Sequence, residues 1–177
     1  MNRSLYIALI LAMLCSCSAD DLSQRIVIQE SSPGVYEYEI IDGNGKTILS
    51  EIAYRIIPTY KHVSPSVISL DIGIGTAFSR SVFYDTETDA LSAWIYDPIV
   101  SDGSMVAYIS EISTGELAIV IQRVFSEEVL AVFVRDFSPI ANYGGIVVSA
   151  EICNENELII TYLSGPNFDQ RREILQF

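Results

Sequence analysis

The chain has 177 residues, of which 50% are hydrophobic and 19% are charged, and its formal net charge at pH 7 is −13. This charge argues against nucleic acid and anionic lipid headgroups as partners, because each phosphate contact requires a Lys or Arg. It favours a basic protein partner, although a high net charge also serves solubility alone.

The first residues have the layout of an export signal. Arg3 precedes an apolar run from Leu5 to Leu14, which is too short to cross a bilayer as a helix, since that needs about 20 residues. The run ends in Leu-Cys-Ser-Cys, which resembles a bacterial lipobox and predicts a signal peptide over residues 1–16 with lipidation of Cys17. Ordinary cleavage after residue 19 is the alternative. We therefore expect one β domain, residues 17–177, in the periplasm, either lipid-anchored to the outer membrane or soluble.

From residue 35 onward, apolar and polar residues alternate between turns rich in Gly, Asn and Asp. The stretch VYEYEII, the turn Asp42–Gly45 and the return to Ile57 predict a hairpin. Further strands are predicted in PSVISLDIGIG, AFSRSVFYD, ALSAWIYDP, EEVLAVFVRDF, GGIVVSAEI, NELIITYL and RREILQF. No window of a dozen residues after the signal keeps helical periodicity, so we expect an all-β fold.

The stretch SDGSMVAYISEISTGELAIVI, Ser101 to Ile121, resembles a blade of TolB-like β-propellers in its Ser-Asp-Gly and Thr-Gly-x-Leu turns. VFYDTETDALSAWI is similar, and the resemblance extends from Val67 to Leu163. At about 40 residues a blade, the chain has room for no more than four blades. The resemblance implies a small or incomplete β-propeller-like arrangement of antiparallel hairpins, with a β-sandwich as the alternative.

Few residues suggest catalysis. The only histidine, His62, lies in a predicted loop near Ser64, Ser66 and Asp71, without a nucleophile-elbow motif. Gly73 and Gly75 are predicted to be bend glycines rather than a phosphate loop, because no helix follows them. We expect no catalytic residues.

Cysteine usage argues against disulfides and zinc. Removal of the signal leaves Cys153 and the N-terminal Cys17, which is lipidated or removed, so we expect no disulfide within the mature chain. One histidine and one free thiol do not make a zinc cluster. We expect neither a metal nor a cofactor.

Two polar turns are candidates for partner binding. Ser101, Asp102, Gly103 and Ser104 form a small turn that we expect to be exposed, with hydroxyls able to enter an enzyme cleft and a carboxylate suited to a basic one. Asp85, Glu87 and Asp89, in DTETD, are the secondary candidates. Trp94 and the tyrosines could form a sugar-stacking or protein-binding face, although such residues more often fill the core.

In size, export signal and strand pattern, the chain is similar to periplasmic immunity proteins of type VI secretion amidase effectors. This similarity implies a non-catalytic inhibitor of a basic cell-wall-degrading enzyme, such as a secreted peptidoglycan amidase, bound by protein–protein interaction. An outer-membrane lipoprotein scaffold or assembly factor is the alternative function. A hydrolase that uses His62 is the second alternative.

Overall fold

A computed structural model describes residues 25–75, 78–139 and 145–177, which form β-strands joined by turns, with no α-helix in these ranges. The strands make four antiparallel sheets, each from consecutive segments of the chain. The first sheet has the order β1-β2-β3. Its strands are β1 (Ile26–Ser32), β2 (Val35–Ile41) and β3 (Thr47–Tyr54).

The second sheet has the order β4-β5-β6-β7, and β8 also pairs with β6. Its strands are β4 (Thr59–His62), β5 (Val67–Ile74), β6 (Phe78–Asp85), β7 (Ala90–Leu91) and β8 (Ile95–Tyr96). The predicted strand in ALSAWIYDP is thus divided into two short ones. Between them, Ser92 Oγ accepts a hydrogen bond from the Phe83 backbone N–H at 2.9 Å and so takes the place of a strand partner.

The third sheet has the order β12-β11-β10-β9 and the fourth β13-β14-β15. Their strands are β9 (Pro98–Ser101), β10 (Met105–Ser113), β11 (Glu116–Arg123), β12 (Val129–Val134), β13 (Val147–Cys153), β14 (Glu157–Ser164) and β15 (Asp169–Gln176). The β15 strand confirms the predicted last edge strand. The four sheets agree with the upper limit of four blades.

Each sheet packs against the next one in chain order. One core cluster joins the first and second sheets around Tyr38 and Tyr84, and another joins the third and fourth around Ile121 and Tyr162. A smaller cluster around Phe83 joins the second sheet to the third. None of these three clusters contains residues of both the first and the fourth sheet.

This order of packing explains the burial pattern. The two central strands of the middle sheets, β6 and β11, contain runs of four or five consecutive buried residues because both of their faces are covered. In the first sheet, buried residues of β2 alternate with residues that are exposed or half-buried. The described residues cover only one face of this strand. The all-β prediction is confirmed. The series of hairpin sheets agrees with an incomplete propeller-like arrangement and also with a β-sandwich.

One sequence prediction about secondary structure is wrong. His62 was expected in a loop, but it is the last residue of the edge strand β4, where it pairs with Ile68. All four residues of β4 are exposed, so the strand has no alternation of buried and exposed positions that would have shown it in the sequence.

Candidate functional site

The Ser101–Ser104 turn joins β9 to β10 and is held by its own hydrogen bonds. Asp102 Oδ1 accepts from the Ser104 N–H at 2.8 Å, the Ser104 hydroxyl at 2.9 Å and the Met105 N–H at 2.8 Å. Ser101 Oγ donates to the Met105 carbonyl at 2.7 Å and accepts from the Gly103 N–H at 3.1 Å. These bonds fix the turn and engage the carboxylate that was expected to meet a partner.

The expected exposure of this turn is wrong for Gly103. Gly103 is buried, whereas Ser101 and Asp102 are half-buried and Ser104 is exposed. A Cβ at Gly103 would lie 2.8 Å from Ser64 Oγ, and its φ of 96° is one that side chains disfavour. The turn therefore packs on the β4–β5 connection and offers mainly the Ser104 side to solvent.

The interface between the second and third sheets, beside this turn, is unusually polar. Its core cluster has five buried residues, against nine and ten in the other two clusters. Several buried polar residues lie on the facing sides of these two sheets: Ser69, Ser81, Ser92 and Gln122. Two cavities, of about 190 and 310 Å³, flank this small core.

One cavity, of about 190 Å³, is lined by Lys61, Asp71, Ser69 and Ser101. Asp71 Oδ1 accepts hydrogen bonds from the hydroxyls of Ser69 and of Ser81, the latter at 2.6 Å. Lys61 Nζ lies 3.2 Å from Asp71 Oδ2. Because the Ser69 and Ser81 hydroxyls donate to the Asp71 carboxylate, which also pairs with Lys61, these groups satisfy one another and do not resemble a nucleophile paired with a neutral base.

The structure does not assemble His62 into a catalytic group. His62 is exposed on β4, and within the described ranges its side chain makes no hydrogen bond or ion pair with Ser64, Ser66 or Asp71. Also within the described ranges, no group of three or more His, Cys, Asp or Glu side chains is placed to hold a metal ion.

The secondary candidate Asp89 joins the first two sheets. Its Oδ1 accepts hydrogen bonds from Arg25 Nη1 at 2.9 Å, from the Gly43 N–H at 2.9 Å and from the Tyr84 hydroxyl at 2.5 Å. The Tyr84 and Gly43 bonds, together with the charge of Arg25, lower the pKa of Asp89. Burial and the hydrogen bond to Asp89 raise the pKa of Tyr84 to about 12. Asp89 thus serves the packing of the two sheets.

The other two secondary candidates differ in their surroundings. Asp85 accepts hydrogen bonds from the Glu87 N–H at 3.0 Å and the Thr88 hydroxyl at 2.7 Å. Burial alone would raise the pKa of Asp85, but these bonds lower it. Glu87 is exposed, and of the three carboxylates it is the most accessible to a partner.

The arrangement of arginine, tyrosine and carboxylate at Asp89 recurs twice. Arg80 on the second sheet contacts both Tyr38 and Glu51 of the first, and the Tyr38 hydroxyl donates to Glu51 at 2.7 Å. At the other end, the Arg135 guanidinium, just after β12, donates to Glu173, whose other oxygen accepts from Tyr162. We call these three groups the intersheet clamps. These clamps could not be predicted from the sequence, because each joins residues that are distant along the chain.

In the part of the chain that the structure describes, the outer face of the first sheet is uncovered, and it is acidic. Glu37 and Glu39 point outward from the central strand β2, two residues apart, which places them about 7 Å from each other. The neighbouring outward positions on the edge strands include the exposed apolar residues Val27, Ile52 and Tyr54. The sequence already carried this signal, because in VYEYE the tyrosines alternate with the glutamates.

The cations in the described ranges do little to neutralise that face. Ion pairs within the chain engage Arg25, Lys61, Arg80, Arg123 and Arg135. None of these pairs involves Glu37 or Glu39. From the described residues, the Glu39 side chain accepts a single hydrogen bond, of 3.3 Å, from Ser50 on the neighbouring strand. Its negative charge therefore remains available to a partner.

The remaining candidates are distributed as follows. Cys153 is a free cysteine at the end of β13, and burial together with Glu151 and Glu157 raises its pKa. Gly73 approaches the Ile56 side chain, and Gly75 has a φ of 80° in a turn. The predicted signal peptide and the predicted lipidation site Cys17 lie outside the described residues.

No protein-family model matches this chain, and no curated protein matches its sequence. In the described ranges, no helix is long and apolar enough to cross a membrane.

Proposed function

We propose that this protein is a non-catalytic binding protein of the cell envelope, which docks a basic protein through the uncovered outer face of its first sheet. The observation that carries the proposal is the pair Glu37 and Glu39 on that face, bordered by exposed apolar side chains and not engaged by a cation in the described ranges. Such a surface suits a partner that offers Lys or Arg around an apolar centre.

The partner we propose is an enzyme that degrades the cell wall, such as a peptidoglycan amidase, and the protein is then its inhibitor. An enzyme that acts on an anionic wall benefits from a basic surface, and the net charge of −13 would speed its association with this chain. The Ser101–Ser104 turn is a second contact in this proposal. It ranks below the sheet face, because its carboxylate already accepts three hydrogen bonds.

The test is the affinity of the chain from residue 17 onward for a panel of purified basic wall hydrolases, measured by calorimetry at two salt concentrations. We expect at least one enzyme to bind, with an affinity that falls as salt rises. Glu37→Lys together with Glu39→Lys should weaken that binding by about 100-fold, because attraction becomes repulsion at the centre of the interface.

The matched control reverses two charges elsewhere. Glu155→Lys together with Asp169→Lys changes the net charge by the same amount at two exposed sites on the fourth sheet. We expect this control to slow association slightly and to leave the dissociation rate unchanged. Equal loss of affinity in both double variants would show that the binding face lies elsewhere, and Ser104→Lys would then test the turn.

A further inference from the structure

The strand β12 forms one edge of the third sheet. Its sequence, VLAVFV, contains no charged residue and no proline. Sheet edges are usually protected by such residues, which discourage pairing with another chain. Every other described edge strand of more than two residues contains one: Glu30 in β1, Glu51 in β3, Lys61 in β4, Pro98 in β9, Glu151 in β13 and Arg171 in β15. The edge at β12 is therefore the one best suited to accept an added strand.

The backbone of β12 offers hydrogen-bonding groups to such a strand. The N–H of Arg135, just after β12, donates to the Leu117 carbonyl of β11 at 3.2 Å. In an antiparallel ladder, hydrogen-bonded pairs alternate with pairs whose N–H and C=O groups point away from each other. Val132 and Val134 occupy these alternate positions in the register with β11, so their backbone groups point to the open edge. The Val134 carbonyl accepts a 2.7 Å bond from Arg135 Nη1 and keeps a second lone pair.

The side chains of Val132 and Val134 form an apolar surface beside this edge. They lie on one face of the sheet and are 48% and 43% exposed. An added strand places the residues opposite these two positions on the same face, in cross-strand contact with the valines. Apolar side chains at alternate positions of the added strand are therefore favoured.

A cavity of about 330 Å³ lies at the end of β12, next to Val134, and adds a preference for charge. Its lining includes the exposed residues Glu116 and Asp136. The basic residue of the lining, Arg135, already pairs with Glu173. Neither Glu116 nor Asp136 forms an ion pair within the part of the chain that the structure describes. These two carboxylates favour a Lys or Arg in a strand that reaches the cavity.

A second copy of the chain does not supply that cation. Two antiparallel copies of β12 paired about Val132 place Glu128 of one copy opposite Asp136 of the other. Paired about Phe133, they place Leu130 there. The net charge of −13 on each copy also opposes such a dimer. The occupant that fits this edge is a segment of a different protein.

We propose that β12 accepts an extended segment of a partner protein as an added antiparallel strand. Two apolar side chains of that segment lie opposite Val134 and Val132, and a Lys or Arg that precedes them lies opposite Asp136, at the cavity. All strand pairs of the described sheets are antiparallel, and this pairing is slightly more stable per residue than the parallel one. The inference does not depend on the proposed function, because the acidic face lies on the first sheet and this edge on the third.

The probe is the hexapeptide Lys-Thr-Val-Thr-Val-Thr, acetylated at its N-terminus and labelled with a fluorophore at its C-terminus. Its binding to the chain from residue 17 onward is followed by fluorescence anisotropy. We expect saturable binding with a Kd below about 1 mM. The same peptide with Glu in place of Lys should bind about tenfold more weakly or worse. Glu116→Lys together with Asp136→Lys should reverse this preference, so that the Glu peptide binds more tightly than the Lys peptide.

Val132→Pro tests the strand pairing itself. It removes an N–H that points to the open edge, where proline is tolerated, so the variant should fold and bind the Lys peptide about tenfold more weakly. Ile174→Pro is the matched control, because Ile174 is exposed on the edge strand β15 and its N–H also points away from the neighbouring strand. It should bind the peptide as the parent does. If thermal melts show that Val132→Pro does not fold, the charge reversal decides the question.

Four results would overturn the proposal. Three of them concern the peptides: the Lys peptide does not saturate, the Lys and Glu peptides bind alike, or folded Val132→Pro binds as tightly as the parent. The fourth is a dimer of the parent in sedimentation velocity that Val132→Pro disperses, because a second copy would then occupy the edge.

Discussion

Removing Glu173 should release the clamp between the third and fourth sheets. Glu173 Oε2 accepts from Arg135 Nε at 2.9 Å and lies 2.8 Å from Arg135 Nη2, while Oε1 accepts from the Tyr162 hydroxyl at 2.5 Å. Tyr162 is buried and packs edge-on against Phe137, with 5.1 Å between ring centres. Glu173→Ala therefore leaves the Tyr162 hydroxyl without this acceptor at the margin of the core.

The size of the effect follows from two contributions. A buried hydroxyl that loses its acceptor costs about 1–3 kcal/mol. The ion pair is intermediate, with both side chains 28% exposed, and we place its loss at about 1 kcal/mol, between the values for exposed and buried pairs. The sum is about 3 kcal/mol, which should lower the melting temperature by about 6–12 °C for a domain of this size.

The assay is thermal and urea unfolding of four proteins: the parent, Glu173→Ala, Tyr162→Phe and the double variant. We expect the double variant to be more stable, by about 1 kcal/mol, than the sum of the two single effects implies. The reason is that Tyr162→Phe removes the hydroxyl that Glu173→Ala leaves without its acceptor. Glu128→Ala is the control, since the Arg123–Glu128 pair is 54% and 62% exposed, and it should leave the midpoint nearly unchanged. Additive effects, or equal effects at Glu173 and Glu128, would show that Glu173 and Tyr162 do not stabilise the contact between these two sheets.

Three further predictions concern acid stability, the Gly103 turn and the N-terminus. Hydrogen bonds from Arg135 and Tyr162 outweigh the effect of burial and lower the pKa of Glu173 in the folded protein. The clamp's contribution to the free energy of unfolding is therefore fully present above the pKa of Glu173 in the unfolded chain, about 4.3. This contribution is lost as the pH falls through the lower pKa of the folded state. Melting temperatures between pH 6 and 2 should therefore fall more steeply for the parent than for Glu173→Gln, and parallel curves would contradict this. Gly103→Ala should cost about 1–3 kcal/mol through its positive φ and its contact with Ser64, whereas Gly45→Ala, with open space around its Cβ, should cost less in the same urea titration. A fatty-acid analogue should label Cys17, and label that persists in Cys17→Ala would disprove lipidation there.

Local turn chemistry was sufficient to predict most of the strands. Asp42 and Gly45 form the predicted hairpin turn, in which Asp42 Oδ1 accepts from the Asn44 and Lys46 N–H groups at 2.9 and 2.8 Å. The alternation in VYEYE corresponds in the fold to a buried Tyr38 and an exposed Glu37. These features depend on a few neighbouring residues, and a single sequence contains them.

The structural role of Asp89 could not be predicted in this way. Its partners Arg25 and Gly43 are 64 and 46 residues away along the chain. Asp89 therefore looks like part of a polar turn in the sequence, whereas in the fold it belongs to an intersheet clamp. Gly103 is similar, since its burial depends on the approach of Ser64 from another sheet. Packing between the sheets decides which turn is free to bind a partner. The local composition of a turn does not show how the sheets pack.

We propose that the protein inhibits a basic wall-degrading enzyme through the acidic face of its first sheet. The most direct measurement is the rate of peptidoglycan hydrolysis by each enzyme of the basic panel as the protein is added. We predict that one enzyme is inhibited in proportion to the amount of protein up to equimolar ratio, and that Glu37→Lys with Glu39→Lys abolishes this inhibition while Glu155→Lys with Asp169→Lys preserves it. Undiminished hydrolysis by every enzyme, or full inhibition by the Glu37 and Glu39 variant, would contradict the claim.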